Sequence, residues 1–132
     1  MKRKSKTFHI YTRKLILEKC KGRCAYCGIF LNGKFQVDHF VPVGRFVNEV
    51  RMGTMPENLK HLNETDVNHF DNLMPSCASC NNYKSSSKIE EFRAQINRLI
   101  KSLNENSSPY KFAKRFGLIT ETEIEVKFYF ET

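Results

Sequence analysis

Apolar and polar positions follow two different periods along this chain, and the changes of period mark its elements. From residue 87 onward Ile89, Phe92, Ile96, Leu99, Ile100 and Leu103 recur at three- and four-residue spacing, which predicts an amphipathic helix. Ser87-Lys88-Ile89-Glu90 reads as its capping box. Near the end, Ile124, Val126, Phe128 and Phe130 alternate with Glu123, Glu125, Lys127 and Tyr129, the period of a half-buried strand. Residues 34–41 alternate too, with Phe35, Val37 and His39 on one face and Gln36, Asp38 and Phe40 on the other. Asn32-Gly33 before them is the dipeptide of a type I′ turn, so residues 29–31 and 34–41 are predicted to pair as a hairpin.

Other stretches are less regular. A short helix is expected between Thr12 as N-cap and Gly22 as stop, with Leu15, Ile16 and Leu17 as its apolar patch. Residues 43–71 carry Gly44, Gly53, Pro56 and several asparagines and read as a long excursion with at most a short helix. Residues 76–84 should lead into a helix, 104–108 form a loop, and a last short helix runs from Pro109 to a stop at Gly117. The long apolar stripe is read as core, with a contact between two copies of the chain through the C-terminal extension as the alternative. At 132 residues the whole is expected to be one domain.

Cysteine placement changes the picture from a generic mixed fold to a metal-stapled one. Four of the five cysteines form two CxxC pairs, Cys24 with Cys27 and Cys77 with Cys80, the ligand set of a tetrahedral structural zinc. Cys20 falls outside both pairs and reads as a small buried or semi-exposed thiol, with zinc ligation the poorer alternative because four better-spaced sulfurs exist. Paired knuckles suit a reducing, cytoplasmic setting better than a disulfide framework does. No apolar run approaches the ~18 residues of a membrane span.

Charge adds a partner. The net charge of +8 resides in residues 1–24, which hold nine Lys/Arg against Glu18, while the remainder balances at thirteen against thirteen. Lys2, Arg3, Lys4, Lys6, Arg13, Lys14, Lys21 and Arg23 form a basic arm leading into the first knuckle, and Lys84 follows the second. Such an arm points to a polyanion, with DNA phosphates the expected target; the plainer reading is a solvated tail. Between the knuckles, Asp38 offers a charged oxygen, His39 an imidazole of the kind that titrates near neutral pH, and Asn81 an amide oxygen. A hard metal on oxygen ligands with a separate base is a sufficient set for phosphodiester hydrolysis.

The order CxxC, Asp38-His39, Asn72-Leu73, then CxxC-Asn81-x-x-Lys84 resembles the HNH family of endonucleases over residues of about 20–92. The resemblance implies an α+β fold with a ββα-metal finger core and a structural zinc on Cys24, Cys27, Cys77 and Cys80; residues 93–132 lie outside that core and extend it by the C-terminal helices and strand read from the apolar pattern. It implies that Asp38 binds a catalytic Mg²⁺ or Mn²⁺, that His39 is the general base, and that Asn72 holds the His-bearing loop by hydrogen bonds. Asn81 would be the second metal ligand, at a position where the family often has His, which moves the preference toward hard ions. For Lys84 either a phosphate contact or a place on the helix surface is expected. The competing readings are a zinc-stabilised nucleic-acid-binding module without catalysis, and a nuclease for RNA or branched DNA.

Overall fold

The computed structural model describes residue 8 and residues 10–132; Lys2, Arg3, Lys4 and Lys6 lie outside the described residues. Among those described, six α-helices and one two-stranded antiparallel sheet form a mixed α+β fold, in the order α1 (Ile10–Glu18), β1 (Gln36–His39), α2 (Val43–Met52), β2 (Leu73–Ser76), α3 (Ala78–Lys84), α4 (Ile89–Asn97), α5 (Leu99–Asn106) and α6 (Ser108–Arg115). Short 3-10 turns lie at Glu57–Leu59, Phe70–Asn72 and Tyr129–Glu131. No helix among the described residues is long and apolar enough to cross a membrane.

The expected hairpin is replaced by a long-range pairing. Asn32 and Gly33 do take positive φ (48° and 78°), and Lys34 N–H closes the turn on the Leu31 carbonyl at 2.9 Å. Yet residues 29–31 make only an isolated bridge, Phe30 with Arg23, and β1 pairs instead with β2 in the register Gln36↔Ser76, Val37↔Pro75, Asp38↔Met74 and His39↔Leu73. Pro75, which has no N–H to give, is tolerated because the sheet has only two strands. Its carbonyl accepts the Ala25 N–H at 2.8 Å, which fastens the first knuckle to the sheet.

Three further expectations are corrected. The excursion over 43–71 contains the ten-residue helix α2, stopped by Gly53 in the left-handed conformation (φ 68°), and its Phe46 is fully buried. The apolar repeat after residue 87 divides at Arg98 into α4 and α5, and the cap moves one residue: Lys88 N–H donates to Glu91 Oε1 at 2.8 Å. No strand forms over 123–130. The alternation survives as facing only in the second half of the segment, where Phe128 is 2% exposed, whereas Ile124 on the same face is 76% exposed. Backbone bonds from Tyr129 N–H to Tyr26 O (3.0 Å) and Phe130 N–H to Ala25 O (2.9 Å) dock the segment on the first knuckle instead. Smaller shifts of boundary accompany these: Thr12 lies inside α1 rather than capping it, and residues 104–108 are mostly helical.

Two apolar clusters hold the chain. The first joins Tyr26, Leu31, Phe92 and Phe128 to Cys24 and Cys77, with Tyr26 edge-on to both Phe92 and Phe128 at 5.7 Å. The second gathers Phe40, Val41, Phe46, Met55, Leu59 and Leu62, so that residues 40–62 fold back over the end of β1. Met74 on β2, Ile89 on α4 and Phe130 near the C-terminus pack against both clusters and join them.

Candidate metal centre and active site

The two knuckles meet because β2 and α3 are consecutive and Ala25 is bonded to β2. Cys77 is the N-cap of α3, its Sγ accepting the Cys80 N–H at 3.3 Å, and the Cys24 N–H bonds the Ile29 carbonyl at 2.9 Å. All four sulfurs lie within 4.8 Å of one another, and Cys27 Sγ is 3.8 Å from Cys77 Sγ. Thiolates bound at about 2.3 Å in a tetrahedron stand about 3.8 Å apart, so the cluster is compatible with a structural zinc. The hydrogen bond from the Cys80 thiol lowers Cys24 to about 4, while Cys80 itself is pushed up by the same contact. One thiolate is thus favoured before any metal binds. Cys20 lies outside the cluster, 5% exposed, with burial pushing its thiol up.

From the Cys₄ cluster the motif residues fan out along β1 and α3. Asp38 and His39, being neighbours in a strand, point to opposite faces. Asp38 is buried against α3, where its Oδ2 accepts the Tyr26 hydroxyl and lies 3.0 Å from Lys84 Nζ. Lys84 is fully buried and also donates to the His39 carbonyl oxygen at 3.0 Å. Neither a phosphate contact nor a helix-surface role is open to it in this arrangement, which corrects the expectation for that residue.

On the other face, His39 Nε2 is 2.8 Å from Asn68 Oδ1. An amide oxygen only accepts, so in this contact Nε2 is the donor and Nδ1 is the ring nitrogen left outside the bond. Asn72 is fully buried: its Oδ1 accepts the Val41 N–H at 2.9 Å, and its Nδ2 donates to the carbonyls of Val41 (3.2 Å) and Val67 (2.9 Å). One side chain therefore pins the chain just after His39 to the loop that carries Asn68.

Asn81 stands one helical turn before Lys84 on α3, and its Nδ2 donates to Gln36 Oε1 on the same strand face as Asp38. With the nitrogen so engaged, the amide presents its oxygen as the remaining donor atom. Asp38 and Asn81 together thus offer oxygen only, the chemistry of a hard divalent ion. A cation already stands on the Asp38 carboxylate in the form of the Lys84 ammonium. In donor type alone the pair suits Mg²⁺ or Mn²⁺; the charge of Asp38 is already met by Lys84.

The basic residues divide. Lys14, Lys21 and Arg23 are exposed, although Arg23 spends one bond on the Gly28 carbonyl (2.9 Å). Arg13 is half-buried, stacked over the Phe35 ring at 4.4 Å and bonded to the Phe35 carbonyl at 2.8 Å, so its first role is packing. Lys19 likewise bonds the Leu73 carbonyl at 2.8 Å over the ring of Phe70.

Two participants escaped the sequence reading. Tyr26 was visible only as an aromatic inside a knuckle, and nothing local marks Asn68 as the partner of a histidine 29 residues away. Compared with protein families, curated proteins and solved structures, the chain matches none of them.

Proposed function

We propose that this chain is a metal-dependent endonuclease of the HNH type that hydrolyses phosphodiester bonds in DNA, with His39 as general base and Asp38 and Asn81 as the residues that would hold Mg²⁺ or Mn²⁺. The observation that carries this reading is the placement of the motif residues on a strand–strand–helix unit, with Asp38 and His39 on β1, Asn72 immediately before β2 and Asn81 on α3, seated on the Cys₄ cluster. A binding module has use for the cysteines and the exposed cations but none for an imidazole held by its Nε2 with Nδ1 left to take a proton.

The chemistry divides among the side chains. His39 Nδ1 accepts a proton from water, and Asn68 fixes the ring so that this nitrogen keeps its lone pair. Asn72 keeps β1 and the Asn68 loop in one frame, so the ring does not swing. A hard divalent ion would supply charge stabilisation at the phosphate and the leaving oxygen. Lys14, Lys21 and Arg23 are exposed near the first knuckle and suit contacts to backbone phosphates, together with the arm before them. Zinc-bound thiolates favour a reducing, intracellular setting.

The burial of Asp38 beneath Lys84 is the one observation that favours a second reading, a zinc-stabilised DNA-binding module without catalysis. Supercoiled plasmid separates the two. Zinc-loaded protein with Mg²⁺ or Mn²⁺ should convert it to relaxed or linear DNA; retention of bound but supercoiled plasmid would overturn the nuclease reading and favour the module.

A further inference from the structure

Lys84 is the feature that the nuclease reading leaves unexplained. A lysine whose side chain is 0% exposed is rare unless its charge is paired, and here the pairing is complete. Its Nζ lies 3.0 Å from Asp38 Oδ2 and 3.0 Å from the His39 carbonyl oxygen, with the Tyr26 ring centroid 5.9 Å away. Asp38 in turn is 6% exposed and receives the Tyr26 hydroxyl on the same oxygen. The carboxylate is thus neutralised from inside the protein, by a residue of the same helix that carries Asn81.

Two positive charges close to one buried carboxylate repel, and low-dielectric surroundings strengthen that repulsion. A divalent ion reaching Asp38 therefore meets a resident competitor. The competitor also has somewhere to go: with Asp38 taken, the ammonium keeps the His39 carbonyl as acceptor and the Tyr26 ring as a weak cation site. Lysine suits this exchange, since its charge is a point on a flexible stem, whereas a guanidinium would hold the carboxylate in a fixed fork.

We propose that Lys84 is an internal counter-ion that competes with the divalent metal for Asp38, and so sets how tightly the site takes that metal. The proposal rests on the metal-dependent reading of Asp38, but it is tested without cleavage. Free Mn²⁺ is followed by electron paramagnetic resonance as it is titrated into zinc-loaded parent, Lys84→Met, Lys84→Arg and Asp38→Asn proteins. Lys84→Met, which keeps the length and removes the charge, should bind Mn²⁺ at least about tenfold more tightly than the parent. Lys84→Arg should bind no more tightly than the parent, and Asp38→Asn should abolish the site. Should Lys84→Met be unfolded because it strands the Asp38 charge, added Mn²⁺ should refold it by taking the counter-ion's place. Unchanged or weaker Mn²⁺ binding in Lys84→Met, binding that survives Asp38→Asn, or an unfolded Lys84→Met that Mn²⁺ does not restore would each overturn the proposal. Mn²⁺ binding that follows this pattern in a protein that never cuts DNA would sink the nuclease reading alone.

Discussion

The knuckle-and-sheet unit and the pair of helices α5 and α6 use polar side chains in opposite ways. In the first, Tyr26, Asp38, Asn72, Ser76 and Lys84 are buried, and among the described residues no buried side-chain polar atom lacks a partner. In the second no residue is buried, and apolar side chains such as Ile100 and Phe112 are 43% and 54% exposed. Its polar contacts gather at the surface on Glu121, which accepts from Asn104 Nδ2 (2.6 Å) and the Tyr110 hydroxyl (2.9 Å) and pairs with Lys114 (3.0 Å). Burial makes each group in the first unit hard to replace, because a lost partner leaves a desolvated charge or amide behind. Solvent can stand in for any single group in the second.

That contrast predicts a steep gradient of mutational cost. Cys77→Ser removes one of the four thiols of the candidate zinc cluster, while the serine hydroxyl can still accept the Cys80 N–H and cap α3. Structural zinc sites contribute about 10–16 kcal/mol of apparent binding energy, more than the net stability of most domains, so this variant should lose both its zinc and its cooperative melting transition. Metal analysis beside thermal melting checks it, and an intact transition in zinc-free protein would contradict it.

Asn72→Ala is the next step down. It strands the Val41 N–H and two carbonyls in the interior, at a cost of about 3 kcal/mol measured by urea unfolding. DNA cleavage should fall further than the lost stability explains, since the loop bearing Asn68 is freed from β1. A variant as stable as the parent would show that water reaches the site.

Glu121→Gln should have the smallest effect. Hydrogen bonds from Asn104, Lys114 and Tyr110 hold the Glu121 carboxyl down to about 2. A carboxylate lowered in this way stabilises the fold above its ordinary range, and that contribution is lost as the pH falls from 4.5 toward about 2. The variant should melt slightly below the parent at neutral pH with the same zinc content, and the gap should begin to close as the pH approaches 4.5. A gap that widens on acidification would reverse the assignment.

Legibility in the sequence follows the same divide between local and long-range causes. The knuckles, the Asn32-Gly33 turn and the apolar stripe of α4 were readable because each is set by neighbours a few residues apart. The partner of β1 was not, since the turn rule selects the nearest extended segment whereas Asp38 pairs opposite Met74. Helix α2 did carry signals, Phe46 and Val50 one turn apart and Gly53 as a stop, but its polar residues and Gly44 masked them. At 123–130 the pattern placed Phe128 inward, but the segment docks on the first knuckle through the Tyr129 and Phe130 N–H groups instead of pairing as a strand, a contact that alternation alone does not reveal. Of the candidate site, the residues were legible and their partners were not. Lys84 reads as a surface cation until Asp38 is seen to face α3, and Asn68 reads as loop until it meets His39.

The most direct test of the account compares His39→Ala with the parent in single-turnover nicking of plasmid DNA under Mg²⁺, with DNA affinity and melting temperature measured on the same preparations. Among the described residues the His39 ring makes one side-chain hydrogen bond, to Asn68, and it is only half-buried, so its removal should leave zinc content, melting and affinity close to the parental values. As the base, it should take with it a factor of about 10² to 10⁴ in the rate of cutting. Nicking at the parental rate by a folded, DNA-binding His39→Ala protein would contradict the account.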